Sequence, residues 1–147
     1  MRELAIKLPP APTPLGAYVE AVQTGNLLFL SGMLPVVDHQ PKFVGRLGKE
    51  LNTDQGRDAL RIAAINALSA ARQHLGSLDK VAKVVRLGVY LATEGDFFDQ
   101  PKVADAASEL FRDVFGEENI SVRVVLGVAS LPLGMPVELE VILEVKS

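Results

Sequence analysis

The amino-acid sequence predicts an α+β fold, a mostly antiparallel sheet with two helices on one face. Three observations carry this. Strand-like and helix-like segments follow one another in the order ββ(β)αβαββ. The last segment, V-E-L-E-V-I-L-E-V (137–145), alternates so that one face is apolar and the other carries three glutamates. The longer helical segment, residues 53–75, is rich in alanine on its apolar face, which allows close approach to a sheet. A chain of 147 residues suits one domain, 1–147, with a real hydrophobic core.

Residues 1–13 read as an extended lead-in, with prolines and glycine marking the stretch from 8 to 16. A-Y-V-E-A-V-Q (17–23) and L-L-F-L-S (27–31) are strands joined by the turn T-G-N (24–26), since Gly and Asn accept positive φ. Gly32 and Pro35 end the hairpin, residues 36–42 read as a loop, and F-V-G-R-L-G (43–48) as a short third strand. Asn52 or Thr53 caps the first helix and Gly76 follows its end. Its apolar face comprises Leu60, Ala64, Ala67, Leu68, Ala71 and Leu75. V-A-K-V-V-R-L-G-V-Y-L-A (81–92) is β-branched and long enough for a central strand. A second helix spans 99–114, with Pro101 tolerated in its first turn. S-V-R-V-V-L-G-V (121–128) is a strand, 129–136 a connection and 137–145 the last strand.

Composition excludes several functions. Without cysteine there are no disulfides, thiolate nucleophiles or zinc–cysteine sites. The net charge is −3, no basic cluster stands out, and tryptophan is absent, so nucleic acid is not an expected partner. No apolar run approaches a membrane span, and the start of the chain lacks the apolar core of a signal peptide, so a cytoplasmic protein is expected. His39 and His74 are too few for most histidine-based metal sites. No phosphate-binding glycine loop or nucleophile elbow is present.

Two features remain. Arg123 is a permanent charge inside an apolar strand, which is costly unless paired. By parity it shares a face with Ser121, Val125 and Gly127, opposite Val122, Val124, Leu126 and Val128. In the last strand, Val137, Leu139, Val141, Leu143 and Val145 should meet the helices, leaving Glu138, Glu140 and Glu144 on the second face. If the two second faces line one cavity, Arg123 and a glutamate are neighbours. Ion pairs outnumber active sites, so the residues alone favour a salt bridge. The functional alternative is a guanidinium fork for a carboxylate, beside a glutamate that positions water.

The chain resembles the RidA/YjgF family of reactive-intermediate deaminases, once described as L-PSP endoribonucleases. The resemblance spans roughly residues 14–145 and is carried by G-A-Y-V-E-A-V-Q-T-G-N (16–26), L-F-L-S-G-M-L-P (28–35), V-R-V-V-L-G-V-A-S-L-P (122–132) and P-V-E-L-E-V (136–141). It implies a chorismate-mutase-like fold and a homotrimer with ligand clefts between subunits. It implies hydrolysis of 2-enamine and 2-imine acids, such as 2-aminoacrylate, to 2-keto acids and ammonia, without metal or organic cofactor. Under it, Arg123 binds the substrate carboxylate and Glu138 orients water. Tyr18, Ser31, Gly32 and the backbone N–H of Val125 border the substrate. The chain departs from the pattern at Val124 and Val125, which are often Ser and Cys in the family. The segment 95–103 suits a divergent branch, and the family's second-helix asparagine has no clear counterpart. Two other functions stay open: a trimeric module that holds small carboxylates such as keto acids without turnover, and, behind both, the older ribonuclease assignment.

Overall fold

A computed structural model describes residues 6–147. Among the described residues, seven strands and two α-helices follow in chain order: β1 Ala21–Thr24, β2 Leu27–Leu30, β3 Val36–Val37, β4 Gln40–Pro41, α1 Thr53–Leu75, β5 Val81–Ala92, α2 Gln100–Phe115, β6 Val122–Val128 and β7 Val137–Val145. Five strands form one sheet in the order β1-β2-β7-β5-β6. Three of its pairings are antiparallel, whereas β5 and β6 run parallel. The sheet is therefore mixed, with α2 as the crossover between its parallel strands.

Capping chemistry sets the ends of α1. Asn52 Oδ1 accepts from the Gln55 backbone N–H at 2.8 Å, and Gln55 Oε1 accepts from the Asn52 N–H at 2.9 Å. This reciprocal box satisfies two donors that a helix start leaves unpaired. At the other end Gly76 adopts φ 86°, and its N–H reaches the Arg72 carbonyl. The predicted face is buried as expected, and the burial extends to Gly56, Ala59, Ala63 and Ala70 because α1 also packs on α2. Arg57 joins the two helices through Glu109 at 2.7 Å.

Both helices lie on one side of the sheet. Leu87, Val89 and Leu91 of β5 pair in register with Val141, Leu139 and Val137 of β7, and all six are buried beneath them. Among the described residues, the other side carries no α-helix. There Phe29 pairs with Ile142, Ile142 with Arg86, and Arg86 with Val122.

Three local expectations are corrected. Residues 36–42 are not a plain loop. They form the β3–β4 hairpin, whose turn residues Asp38 and His39 both take positive φ, 52° and 65°. Residues 43–48 are not a strand, and only Leu47 makes isolated bridges there, to Leu51 and Thr93. The first strand begins at Ala21 rather than residue 17, because the Tyr18 N–H turns back to the Gly16 carbonyl. Residues 1–5 of the expected lead-in lie outside the described residues, and residues 6–13 carry no helix or strand. No helix among the described residues is long and apolar enough to cross a membrane.

Candidate functional site

A bulge joins the first hairpin to the site. Phe29 pairs with Ile142, but the next bridge pairs Met33 with Leu139, so Leu30, Ser31 and Gly32 oppose only Glu140 and Val141. The extra residue re-aims the chain, as bulges beside functional sites commonly do. Gly32 thereby comes against Glu138. A β-carbon on Gly32 would stand 2.1 Å from Glu138 Oε2 and 2.9 Å from its Cδ, so only glycine leaves room for this carboxylate.

Glu138 is half-buried and has no hydrogen-bond or ion-pair partner among the described residues. Burial raises its pKa above the ordinary carboxylate value, and the charge of Glu140 adds to the rise. Gly32 also borders a cleft of about 430 Å³. Tyr18 and Glu20 line the same cleft, whose apolar walls include Pro12, Leu15, Met33 and Ile65 of α1, and Glu138 is not part of its lining. Tyr18 Oη accepts the Leu15 backbone N–H at 2.9 Å. The Ser31 hydroxyl donates to Glu20 Oε2 at 3.1 Å, and burial outweighs this bond in raising the Glu20 pKa.

Three of the expected residues, Ser31, Gly32 and Glu138, thus gather at the bulge, and Tyr18 lines the cleft that Gly32 borders. Arg123 and Val125 do not. In the parallel register Arg123 pairs with Leu87 and Val125 with Val89, and both partners point toward the helices. Glu138 pairs with Tyr90 on the opposite side of the sheet. The idea that the charged faces of β6 and β7 line one cavity within a chain is therefore wrong. The apolar set of β6 is the one that faces away from the helices, with Val122 72% and Leu126 48% exposed. The physical reason is that β6 is an edge strand, and α2 covers its Arg123 face with polar groups. Arg123 Nη1 donates to Asp105 Oδ1 at 2.8 Å and Ser108 Oγ at 3.1 Å. A hollow of about 260 Å³ beside it is lined by Ser108, Phe111, Ile120 and Ser121.

Sequence reasoning missed a cluster on the open face. Arg86 Nη1 and Tyr90 Oη both donate to Glu140 Oε1, each at 2.9 Å. The Arg86 bond, then the Tyr90 bond, holds the Glu140 pKa below the ordinary value. Residues 86, 88 and 90 share parity, which was visible, but only the β5–β7 register brings them to Glu140. Among the described residues, no group of three or more histidine or carboxylate side chains is placed to hold a metal ion.

Comparisons with known proteins follow the same outline. The family described as YjgF/chorismate mutase-like, putative endoribonuclease, matches residues 2–143. Protein TCP17 of Trypanosoma cruzi is 38% identical over 148 residues, covering 100% of this chain and 92% of its own. A 2-iminobutanoate/2-iminopropanoate deaminase of Dermatophagoides farinae is 30% identical over 141 residues, covering 96% of this chain and 95% of its own. A crystal structure of a protein of unknown function from Agrobacterium tumefaciens superimposes with a TM-score of 0.90 at 32% identity, over 99% of this chain and 89% of its own.

Proposed function

This chain belongs to the YjgF/chorismate mutase-like family, and on that premise we propose that it hydrolyses 2-enamine and 2-imine acids to 2-keto acids and ammonia. The observation that carries the reading is Glu138, a half-buried carboxylate with no hydrogen-bond or ion-pair partner among the described residues, seated against Gly32. An unpaired carboxylate with raised proton affinity suits a group that takes a proton from water and returns it. Water adds to C2 of the protonated imine, the C=N electron pair moves to nitrogen, and Glu138 accepts the water proton. Glu138 returns that proton to the carbinolamine nitrogen, the C–N bond breaks with its electron pair on the departing ammonia, and the C2 hydroxyl gives its proton to Glu138, and from there to solvent, as it becomes a carbonyl. The imine carbon is already electrophilic, so holding substrate and water in place supplies most of the acceleration.

Arg123 is the carboxylate clamp in this reading. It lies on the opposite side of the sheet from Glu138 within one chain, so the two meet only if one subunit lends Arg123 to the cleft of another. The proposal therefore includes a homotrimer with intersubunit clefts. In this reading Tyr18 and Gly32 border the cleft, Ser31 supports it through its bond to Glu20, and the Val125 N–H offers a further donor to the carboxylate.

The test supplies purified protein with 2-aminoacrylate generated in situ by a dehydratase. Faster keto-acid release that disappears in Arg123→Ala and Glu138→Ala supports the reading. No acceleration across several imino acids overturns it. A second reading, keto-acid binding without turnover, is favoured by Asp105, which already occupies part of the Arg123 guanidinium. Saturable binding without turnover would select it, and unchanged affinity in Arg123→Ala would exclude it.

A further inference from the structure

The proposed reaction leaves one polar cluster unused. Arg86, Gly88 and Tyr90 occupy alternate positions on the open face of β5, and the flanking two reach one oxygen of Glu140. Gly88 makes this possible. A β-carbon there would stand 2.8 Å from Tyr90 Oη, 2.9 Å from Glu140 Oε1 and 3.2 Å from Arg86 Nη1. Tyr90 lies directly opposite Glu138 in the register, yet sends its hydroxyl back to Glu140. Two carboxylates thus stand two residues apart on one face of β7, about 7 Å along the strand. One is tied by two donors and the other by none.

We propose that Arg86, Tyr90 and Glu140 form a fixed-charge unit that positions Glu138 and sets how readily it takes and returns a proton during imine hydrolysis. The inference rests on the deaminase reading above. Glu140 is a positioning residue here, acting through Glu138. An ion pair on an exposed sheet face adds little stability by itself, whereas a charge held beside an unpartnered carboxylate acts on that carboxylate directly. The charged and titratable groups around Glu138 are Glu140 on its own strand, Arg86 and Tyr90 on β5, Glu20, which reaches Ser31 beside Gly32, and, in the proposed trimer, Arg123 of a neighbouring subunit, which is the same in both variants. Glu144 and its register partner Lys83 lie farther along the same two strands.

The two halves of the pair act on Glu138 with opposite sign. In Arg86→Gln the Glu140 charge is no longer offset, so Glu138 holds its proton to higher pH. In Glu140→Gln the like charge is gone and Arg86 remains, so Glu138 ionises at lower pH. A pair that only supports the fold would not produce opposite shifts.

The experiment measures the pH profile of kcat and, in the ligand-free protein, the NMR titration of the Glu138 side-chain carboxyl. The acid limb and the titration should both move up in Arg86→Gln and down in Glu140→Gln. At neutral pH, kcat should fall several-fold in Arg86→Gln with KM within about twofold, while Glu140→Gln extends activity to lower pH. Arg86→Lys, which keeps the charge, should restore part of the loss. Turnover with both limbs unmoved, or moved the same way, overturns this inference and leaves the deaminase reading standing. Opposite titration shifts in a protein that turns over no imine overturn the deaminase reading and leave the electrostatic unit standing.

Discussion

The carboxylate of Glu138 lies directly over Gly32, closer than any β-carbon would allow. The contact involves the flexible end of the glutamate side chain. Gly32→Ala should therefore turn the carboxylate aside while the strands stay in place. The expected result is a change in Tm of no more than about 2 °C, a loss below ~1 kcal/mol in a chain of this size. Turnover should nevertheless fall by ~100-fold, the scale of a misplaced reacting group. Thermal melts and imine-hydrolysis assays on one preparation check this.

Glu138 itself is held at a cost in stability, and the sign can be worked out. Burial raises its pKa in the folded state, so the folded protein binds the proton more tightly than the unfolded chain. Stability therefore falls as pH rises from the unfolded carboxylate range through the raised folded value. Glu138→Gln removes the charge and the dependence. The variant should lose activity and melt up to about 2–4 °C higher than wild type near neutral pH. The gain should shrink as pH is lowered toward 4.5, the ordinary carboxylate value.

How much of this could be read from sequence follows from where the determinants lie. The bounds of α1, β5 and β7 match the sequence expectation because each is fixed locally, by Asn52 and Gly76 or by a long uniform run. The β3–β4 hairpin stayed hidden because its turn uses Asp38 and His39 at positive φ, where glycine or asparagine is the usual signal. Glu138, Ser31 and Gly32 were singled out through the family resemblance, and the bulge brings them together. The facing of Arg123 was not, because the apolar set of an edge strand need not meet the helices. Arg86, Gly88 and Tyr90 were unreadable for a different reason: their meeting with Glu140 depends on a register with a residue 50 or more positions away.

Asp105 holds only Nη1 of Arg123, and both side chains are partly open to solvent. Exposed pairs of this kind contribute ~0–1 kcal/mol, so Asp105→Asn should barely change the Tm. The effect on ligand is larger, because Asp105 repels an incoming carboxylate and competes for the same guanidinium. Keto-acid affinity measured by calorimetry should rise several-fold in Asp105→Asn. In Arg123→Ala it should drop ~10-fold or more, the scale of a lost charge-assisted bond. Equal affinity in both variants would assign Arg123 to the fold alone.

Gly56 marks where α1 passes closest to its neighbours. A β-carbon there would meet Leu47 Cδ2 at 2.9 Å and Val103 Cγ2 at 3.3 Å, both on fully buried side chains. Alanine gains about 1 kcal/mol of helix propensity over glycine. Forcing an extra methyl into a packed core costs about 1–3 kcal/mol. Packing should win, and Gly56→Ala should lower the Tm by about 2–4 °C without touching the site.

The open side of the sheet decides whether the proposed clamp can exist. Val22, Phe29, Ile142, Arg86 and Val122 form one cross-strand row there, with Leu126 beyond it. Val22 is 52% exposed and Phe29 38%, more apolar surface than a sheet face turned to water usually carries. A homotrimer that buries this face would cover it and bring the β6 edge of one subunit toward the β7 glutamates of the next. Light scattering on the eluting protein should then give three times the chain mass of 15.8 kDa. Phe29→Lys places a charge in the middle of the row and should shift the mass to that of one chain. Turnover should vanish with the trimer, because Arg123 and Glu138 face opposite ways in a single subunit. A wild-type chain that is monomeric and still active would exclude the shared cleft, and with it Arg123 as the carboxylate clamp.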